Sequence, residues 1–128
     1  MNIAINGFGR IGRQAFKIAV NNKKIKIVAI NDLTDAKTLA HLLKYDTSYG
    51  IWEKEVSYDE KNIIVDGEKY PVYAEKDPAV LPWAKLKVDV VLECTGKFTK
   101  REGAELHLKA GARKVVLSAP GKGGNIPT

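Results

Sequence analysis

The sequence predicts an α/β fold in which a mostly parallel sheet is covered by helices on both of its faces. Short apolar runs, typical of buried parallel strands, recur along the chain with helical patterns between them. A glycine-rich turn follows the first of these runs directly. The alternation of strand and helix indicates right-handed crossovers, and therefore a doubly wound sheet.

The first predicted elements rest on apolar spacing and on their flanking residues. Apolar runs at residues 3–6 and 26–31 predict the first two strands. Apolar residues at three-to-four spacing predict a helix over 10–21. Asp35 is a suitable N-cap and predicts a second helix over 36–44.

The middle of the chain changes character before the alternation resumes. A small antiparallel insertion of two short strands is expected near 55–66, and it leads into a third sheet strand near 70–74. Residues 88–93 and 114–118 then predict a fourth and a fifth strand, with a helix over about 100–110 between them.

The expected strand order is 3-2-1-4-5, numbered along the chain without the insertion. A ligand crevice is then expected at the carboxyl ends of the strands, where the order reverses beside the first strand. The loops at 7–12, 94–98 and 118–119 converge there. Pro71 lacks an amide donor, so it is expected near the start or the edge of the third strand.

Composition limits the function classes. The chain has 128 residues, of which 45% are apolar and 28% charged, as in an ordinary globular domain. No run approaches the roughly 20 apolar residues of a membrane span, and no secretory signal is seen. The single cysteine, Cys94, excludes an internal disulfide and favours a reducing cytoplasm. The net charge of +6 favours anionic ligands such as nucleotide phosphates. Nucleic acid is a less favoured ligand, because the lysines are dispersed without a base-stacking aromatic motif.

The glycine-rich turn at residues 7–12 reads Gly-Phe-Gly-Arg-Ile-Gly, and Asp32 follows its last residue by 20 positions. With a strand before it and a helix after it, this is the dinucleotide-binding fingerprint of a Rossmann-type domain. Gly7 allows the tight turn, Gly9 lets a pyrophosphate approach the backbone, and Gly12 lets the helix pack closely. The helix N-terminal amides face the phosphates, and Asp32 can accept hydrogen bonds from ribose hydroxyls. The alternative is a tight turn that binds nothing.

Five segments of the chain carry a family resemblance: INGFGRIGR (5–13), NDL (31–33), LLKYD (42–46), ECTGKF (93–98) and SAP (118–120). They resemble the corresponding segments of glyceraldehyde-3-phosphate dehydrogenases, in the N-terminal NAD-binding domain of that family. The resemblance implies that residues 1–128 form one NAD-binding domain, with the catalytic domain absent from this chain. It also implies, for the parent protein, phosphorylating oxidation of an aldehyde with hydride transfer to NAD, in glycolysis and in the cytoplasm.

Carried over by position, the resemblance implies a set of cofactor-binding residues. They are Gly7, Gly9, Arg10, Ile11, Gly12, Asp32, Lys76, Thr95, Gly96, Phe98 and Ser118. Lys76 stands where the family typically has arginine, so only a backbone contact to the adenine is expected there. Asp32 favours NAD over NADP, because a carboxylate would repel a 2′-phosphate.

The catalytic motifs of the family are not found in the sequence. Its nucleophile lies in a Ser-x-x-Cys-Thr-Thr-Asn-like segment that this chain lacks, and its histidine base comes later. Cys94 is expected to be a small buried hydrophobe, and His41 and His107 to be surface or packing residues. No catalytic residue and no metal ligand is expected, so the chain alone should be inactive. The resemblance implies a homotetrameric parent whose catalytic domain lies in the same or another chain.

Two alternatives stay open at this point. A related dehydrogenase could act on erythrose 4-phosphate, because the substrate domain decides that choice. The chain could also be a stand-alone nucleotide- or RNA-binding module, for which the net charge of +6 is the only support.

Overall fold

A computed structural model of the protein describes residues 1–45, 51–95 and 101–117. The strands are β1 (Asn2–Asn6), β2 (Lys26–Asn31), β3 (Val56–Tyr58), β4 (Asn62–Val65), β5 (Glu68–Tyr73), β6 (Val90–Glu93) and β7 (Lys114–Leu117). The helices are α1 (Arg10–Ala19), α2 (Ala36–Lys44) and α3 (Arg101–Lys109), and a short 3-10 turn spans Pro78–Val80. Among these described elements, no helix is long and apolar enough to cross a membrane.

The strands form one sheet in the order β3-β4-β5-β2-β1-β6-β7. Its parallel part, β5-β2-β1-β6-β7, is the predicted order 3-2-1-4-5, which is thereby confirmed. The predicted antiparallel insertion is present as β3 and β4, and β4 pairs with β5, the third strand of the prediction. The α/β, doubly wound fold class is confirmed.

Strand β5 differs from the prediction in a way that explains its proline. The strand begins two residues earlier than expected, and Pro71 lies in its interior, opposite Asn62 of β4. Beyond Pro71 the strand changes partner, and Val72 and Tyr73 pair in parallel with β2. The missing amide of Pro71 therefore falls where one ladder ends and the next begins, so the expected place near the strand start was wrong.

Element ends shift by one or two residues elsewhere. The first helix ends at Ala19, and the amides of Asn21 and Asn22 bond the carbonyls of Ile18 and Ala19. Strand β6 begins at Val90 because the chain turns at Lys87, whose φ is +55°. Such shifts at the ends of elements do not alter the position of any strand within the sheet.

Apolar side chains cover both faces of the sheet, which is why the middle residues of its central strands are apolar. On one face α1 and α2 contribute to a cluster that includes Phe8, Phe16, Ile30, Leu39 and Leu43. On the other face Leu81, Trp83, Val88, Val91 and Ala112 form a second cluster beneath the 3-10 turn and α3. Alternate residues of β1 divide between them, with Ile3 and Ile5 in the first and Ala4 in the second.

Candidate functional site

A cleft of about 560 Å³ opens at the carboxyl ends of β1, β2, β5 and β6. The residues lining it are Asn6, Gly7, Gly9, Asn31, Asp32, Leu33, Glu75, Lys76, Cys94 and Thr95. The crevice is therefore where the strand order predicted it, beside β1. A second groove, of about 570 Å³, lies at the amino ends of the strands; we call it the lysine groove after Lys26, Lys69, Lys85 and Lys87.

The glycines of the first turn serve different purposes. Gly7 has φ +93°, and a Cβ there would lie 2.7 Å from both the amide nitrogen and Cγ2 of Thr95. A Cβ on Gly12 would overlap the carbonyl oxygen of Gly7. Gly9 has φ −76°, and no atom of the described residues lies within 4 Å of the position of its Cβ. The fold itself requires glycine at 7 and 12, whereas the open space at 9 lies where a ligand can approach the backbone.

The N terminus of α1 opens beside that space. Gly9 is its N-cap and provides no side-chain cap, and the first turn contains no acidic residue. Arg10 and Ile11 in this turn are exposed, and Gly12 is buried beneath the glycine turn. An uncapped helix start with its amides unsatisfied by side chains is suited to an anion such as a phosphate.

Asp32 ties the end of β2 to the glycine turn. Its Oδ2 accepts a hydrogen bond of 2.7 Å from the Phe8 amide, and its Oδ1 accepts one of 2.9 Å from the Thr34 amide. The amide of Gly7 in turn donates to the carbonyl of Asn31 at 2.8 Å. The carboxylate is only partly buried and borders the cleft, so its remaining lone pairs can accept from ribose hydroxyls.

A chain of buried polar side chains lies at the base of the cleft. We call it the strand-end array: Trp83, His107, Glu93, Asn6 and Asn31. Trp83 Nε1 donates to His107 Nδ1 at 3.0 Å, and His107 Nε2 donates to Glu93 Oε2 at 2.6 Å. Asn6 Nδ2 donates to the same oxygen at 2.6 Å, and Asn31 Nδ2 donates to Asn6 Oδ1 at 2.7 Å.

The array continues into the backbone on both walls of the cleft. Asn31 exchanges hydrogen bonds with Glu75, accepting from its amide at 2.9 Å and donating to its carbonyl at 3.0 Å. Oε1 of Glu93 accepts from the amide and the hydroxyl of Thr95, at 3.0 and 2.5 Å. Sequence reasoning did not identify this array. Its only signal was a polar residue at the end of each apolar strand, namely Asn6, Asn31 and Glu93.

The hydrogen bonds fix the ionic states within the array. Because Trp83 only donates, Nδ1 of His107 is the acceptor, and the imidazole is the neutral tautomer that carries its proton on Nε2. Burial alone would raise the pKa of the Glu93 carboxyl, since its residue is 1% exposed. Hydrogen bonds from His107, Thr95 and Asn6 outweigh burial and lower that pKa from its ordinary value of 4.5.

The lowered pKa of Glu93 makes the fold sensitive to acid. The unfolded state binds more protons just below pH 4.5, so the free energy of unfolding rises with pH there. This stabilisation is complete above the unfolded pKa and is lost as pH falls through the folded pKa. We expect the urea midpoint to decrease as the pH is lowered through this range. In Glu93→Gln, the part of the pH dependence of stability that comes from this carboxyl should be absent. An equal slope in that variant would contradict the assignment.

Asp59, whose pKa is about 2, makes a separate contribution to the pH dependence of stability. Donation from the Asn62 side chain and the Lys61 amide lowers it. Its stabilisation is therefore lost at lower pH than the ordinary range of a carboxyl, and Asp59→Asn serves as the matched control. The Glu93 slope should remain in that variant.

The predicted site residues divide by position. The structure brings Gly7, Gly9, Asp32, Lys76 and Thr95 to the cleft lining, with Lys76 exposed. Arg10, Ile11 and Gly12 form the adjoining first turn of α1. The remaining three, Gly96, Phe98 and Ser118, lie outside the described residues. Among the described residues, no group of three or more His, Cys, Asp or Glu is placed to hold a metal ion.

The other titratable candidates are now located. Cys94 is half-buried: it packs against the apolar core and also borders the cleft, so the expectation of a fully buried residue was wrong. His41 is exposed on α2 with its ring 4.9 Å from that of Tyr45, as expected of a surface residue. His107 is fully buried, and both of its ring nitrogens are hydrogen-bonded within the strand-end array. His107 was expected to be a surface or packing residue, and its hydrogen bonds within the array were not predicted.

Together, a doubly wound sheet, a glycine turn beside an uncapped helix start and a strand-end carboxylate define the class of dinucleotide-binding domains. The comparison with known families is more specific. The family model described as "Glyceraldehyde 3-phosphate dehydrogenase, NAD binding domain" matches residues 1–101, and the chain belongs to this family. Its cofactor is NAD.

Proteins of similar sequence support the assignment to this family. The chain is 58% identical over 118 residues to "Glyceraldehyde-3-phosphate dehydrogenase 1" of Bacillus cereus, a match that covers 92% of this chain and 35% of that protein. It is 54% identical over 126 residues to the glyceraldehyde-3-phosphate dehydrogenase of Geobacillus stearothermophilus, a match that covers 98% of this chain and 38% of that protein. It is 56% identical over 126 residues to the Thermotoga maritima protein of the same name, a match that covers 97% of this chain and 38% of that protein. The chain thus spans little more than a third of the length of these relatives.

Proposed function

We propose that this chain is the cofactor-binding part of a phosphorylating glyceraldehyde-3-phosphate dehydrogenase, and that NAD lies in the cleft at the carboxyl ends of the strands. The observation that carries the proposal is the open space at Gly9, beside an uncapped helix start and a carboxylate already anchored to the turn. A Cβ would fill that space, which no atom of the described part of the chain occupies. The residues present therefore fit a pyrophosphate with an attached ribose.

The proposed division of roles follows the order of the elements. The amides of Arg10 and Ile11 face the pyrophosphate, and Asp32 accepts from the adenosine ribose. The backbone at Lys76 borders the adenine side, and Thr95 borders the opposite wall. From the family resemblance alone, Gly96 and Phe98 are proposed to line the cofactor groove, and Ser118 is proposed for the nicotinamide side. When bound, NAD supplies the hydride acceptor, and the chain positions it.

The nucleophile and base of the parent enzyme are proposed to lie in a catalytic domain outside residues 1–128. Thiol catalysis needs a base within hydrogen-bond reach of the sulfur. His107 is engaged through both ring nitrogens with Trp83 and Glu93, and His41 lies on the exposed face of α2. Neither histidine serves as a base for Cys94, so we expect the isolated chain to be catalytically inactive. We also propose that the parent is a cytoplasmic homotetramer.

The proposed substrate is glyceraldehyde 3-phosphate, because the relatives carry that name. Assaying the full-length parent on glyceraldehyde 3-phosphate and erythrose 4-phosphate separates this proposal from the related-dehydrogenase alternative. Faster turnover of the four-carbon aldehyde would contradict it.

Calorimetric titration of the chain with NAD and with ADP-ribose tests the binding proposal. We expect saturable binding of both ligands with one site per chain, because ADP-ribose retains the ribose and pyrophosphate that the turn recognises. Absence of saturable binding by either, in a chain whose circular dichroism shows the fold intact, would contradict it. Added RNA should not displace NAD.

Gly9→Ala separates ligand approach from folding. Its dihedral angles suit alanine and its Cβ meets no atom within residues 1–45, 51–95 and 101–117, so the free energy of unfolding should change by less than about 1 kcal/mol. Its Cβ occupies space that the pyrophosphate needs, so affinity for NAD and ADP-ribose should fall about tenfold or more, or at least ~1.4 kcal/mol. Adenosine is the matched control ligand, and its affinity should not change. Equal weakening of all three ligands would contradict the role.

A further inference from the structure

Both ends of the strand-end array have a fixed hydrogen-bond direction. The indole of Trp83 only donates, so His107 must donate onward to Glu93. At the other end the amide and carbonyl of Glu75 orient Asn31, whose Nδ2 then donates to Asn6. Asn6 must therefore direct its own Nδ2 to Glu93. From both ends the donors point to one carboxylate, which only accepts.

This carboxylate connects two walls of the cleft. Through Oε1, Glu93 holds the amide and hydroxyl of Thr95. Through Oε2, Asn6 and Asn31, it connects to the backbone of Glu75, the residue before Lys76. Glu93 is 1% exposed and is not among the residues that line the cleft, so its effect on a ligand is indirect and passes through residues such as these.

We propose that Glu93 is a positioning residue for NAD, which holds the Thr95 wall and the Glu75 wall of the cleft in the arrangement that the cofactor requires. The inference rests on the proposed function, since it takes the cleft to be the NAD site. The ligand class is a dinucleotide that spans from one wall to the other. Glu93 acts by hydrogen-bond direction, because the described groups that donate to it, on His107, Asn6 and Thr95, are neutral and are oriented by the array.

Glu93→Gln tests the direction with almost no change in volume. Its amide group must face either Thr95 or the Asn6–His107 pair, and each of these sides donates to Glu93. One wall then loses its partner and relaxes, so we expect NAD affinity to fall about tenfold or more. NAD affinity unchanged in this variant, with wild-type stability, would overturn the proposal.

The double variant Asn6→Asp/Glu93→Gln provides a rescue that a merely structural role does not predict. It moves the carboxylate one position along the array and keeps the net charge. The amide nitrogen of the new side chain at position 93 then donates to position 6, and its oxygen still accepts from Thr95. His107 Nε2, which lies 3.3 Å from the Asn6 nitrogen position, can donate to the new carboxylate. We expect NAD affinity within about threefold of wild type.

The single variants and a distant core variant complete the comparison. Asn6→Asp alone places two carboxylates at hydrogen-bond distance and should weaken NAD binding. Ile63→Ala removes core packing away from the cleft, so it should lower the thermal midpoint while NAD affinity stays within about twofold. In Glu93→Gln the amide resonance of Thr95 or that of Glu75 should shift, according to which wall loses its partner, and in the double variant it should return toward the wild-type position.

Each outcome decides the proposal. The proposal is supported if the double variant has wild-type affinity and wild-type amide resonances at Thr95 and Glu75, including where Glu93→Gln alone does not fold. A double variant that binds no better than Glu93→Gln, or that does not fold, overturns it. If Asp32→Ala weakens NAD and Glu93→Gln does not, the cleft is the NAD site and only the positioning role fails. If Asp32→Ala has no effect either, the proposed function itself fails.

Discussion

Replacing Gly7 by alanine should lower the free energy of unfolding by about 3 kcal/mol or more. Two costs combine at this position. The residue has φ +93°, a conformation that is strained for a side chain with a Cβ. The added carbon would also lie 2.7 Å from two atoms of Thr95, one of them a backbone nitrogen, which cannot move without displacing the end of β6. Urea unfolding measures the loss.

Gly67→Ala is the matched control for Gly7→Ala. Gly67 also has a positive φ, of +82°, but none of the atoms that the structure describes lies within 4 Å of its Cβ position. It should therefore show the conformational cost alone, about 1–2 kcal/mol. An equal loss of unfolding free energy in Gly7→Ala and Gly67→Ala would mean that the contact with Thr95 does not destabilise the fold, contrary to the geometry of the turn.

Replacing Asp32 by alanine should weaken NAD binding by about 1.5–3 kcal/mol, or roughly 10- to 150-fold. The variant removes the acceptor proposed for the ribose hydroxyls, and it also releases the amides of Phe8 and Thr34. The glycine turn then loses its tie to the end of β2. Calorimetric titration measures the affinity, and unfolding in urea shows how much stability the turn has lost.

Asp35→Ala is the matched control for the charge of Asp32. Asp35 caps α2 by accepting from the Thr38 amide and does not line the cleft. Its removal should lower thermal stability and leave NAD affinity unchanged. NADP provides a second comparison, because loss of the Asp32 carboxylate should narrow the preference for NAD over NADP. A preference that stays the same would exclude Asp32 as its source.

The sequence was sufficient for those features that depend on local pattern. Apolar runs and helical spacing located the five parallel strands, and the glycine turn located the crevice beside β1. The requirement for glycine at positions 7 and 12 also follows from the fingerprint. Its spacing places the turn against the helix and the neighbouring strand, where a Cβ would overlap other atoms. The positions of the strands, the crevice and these glycines are determined within one βα unit or by the topology of a doubly wound sheet.

The strand-end array could not be predicted in the same way. Asn6 and His107 are 101 positions apart, and His107 lies in a helix whose periodicity carries no information about a partner on β1. Polar residues at the ends of strands are usually solvated, so Asn6, Asn31 and Glu93 gave no pattern that required burial. Pro71 was misplaced for a related reason, since β5 changes partner midway and only the assembled sheet shows where.

Backbone amide resonances of the chain, followed by NMR during an NAD titration, test the location of the cofactor most directly. We expect the amides of Gly9, Ile11 and Asp32 to shift together and to saturate with one common affinity. Saturable shifts confined to the lysine groove, at Lys26, Lys69, Lys85 and Lys87, with the Gly9 amide unmoved, would contradict NAD binding in the cleft.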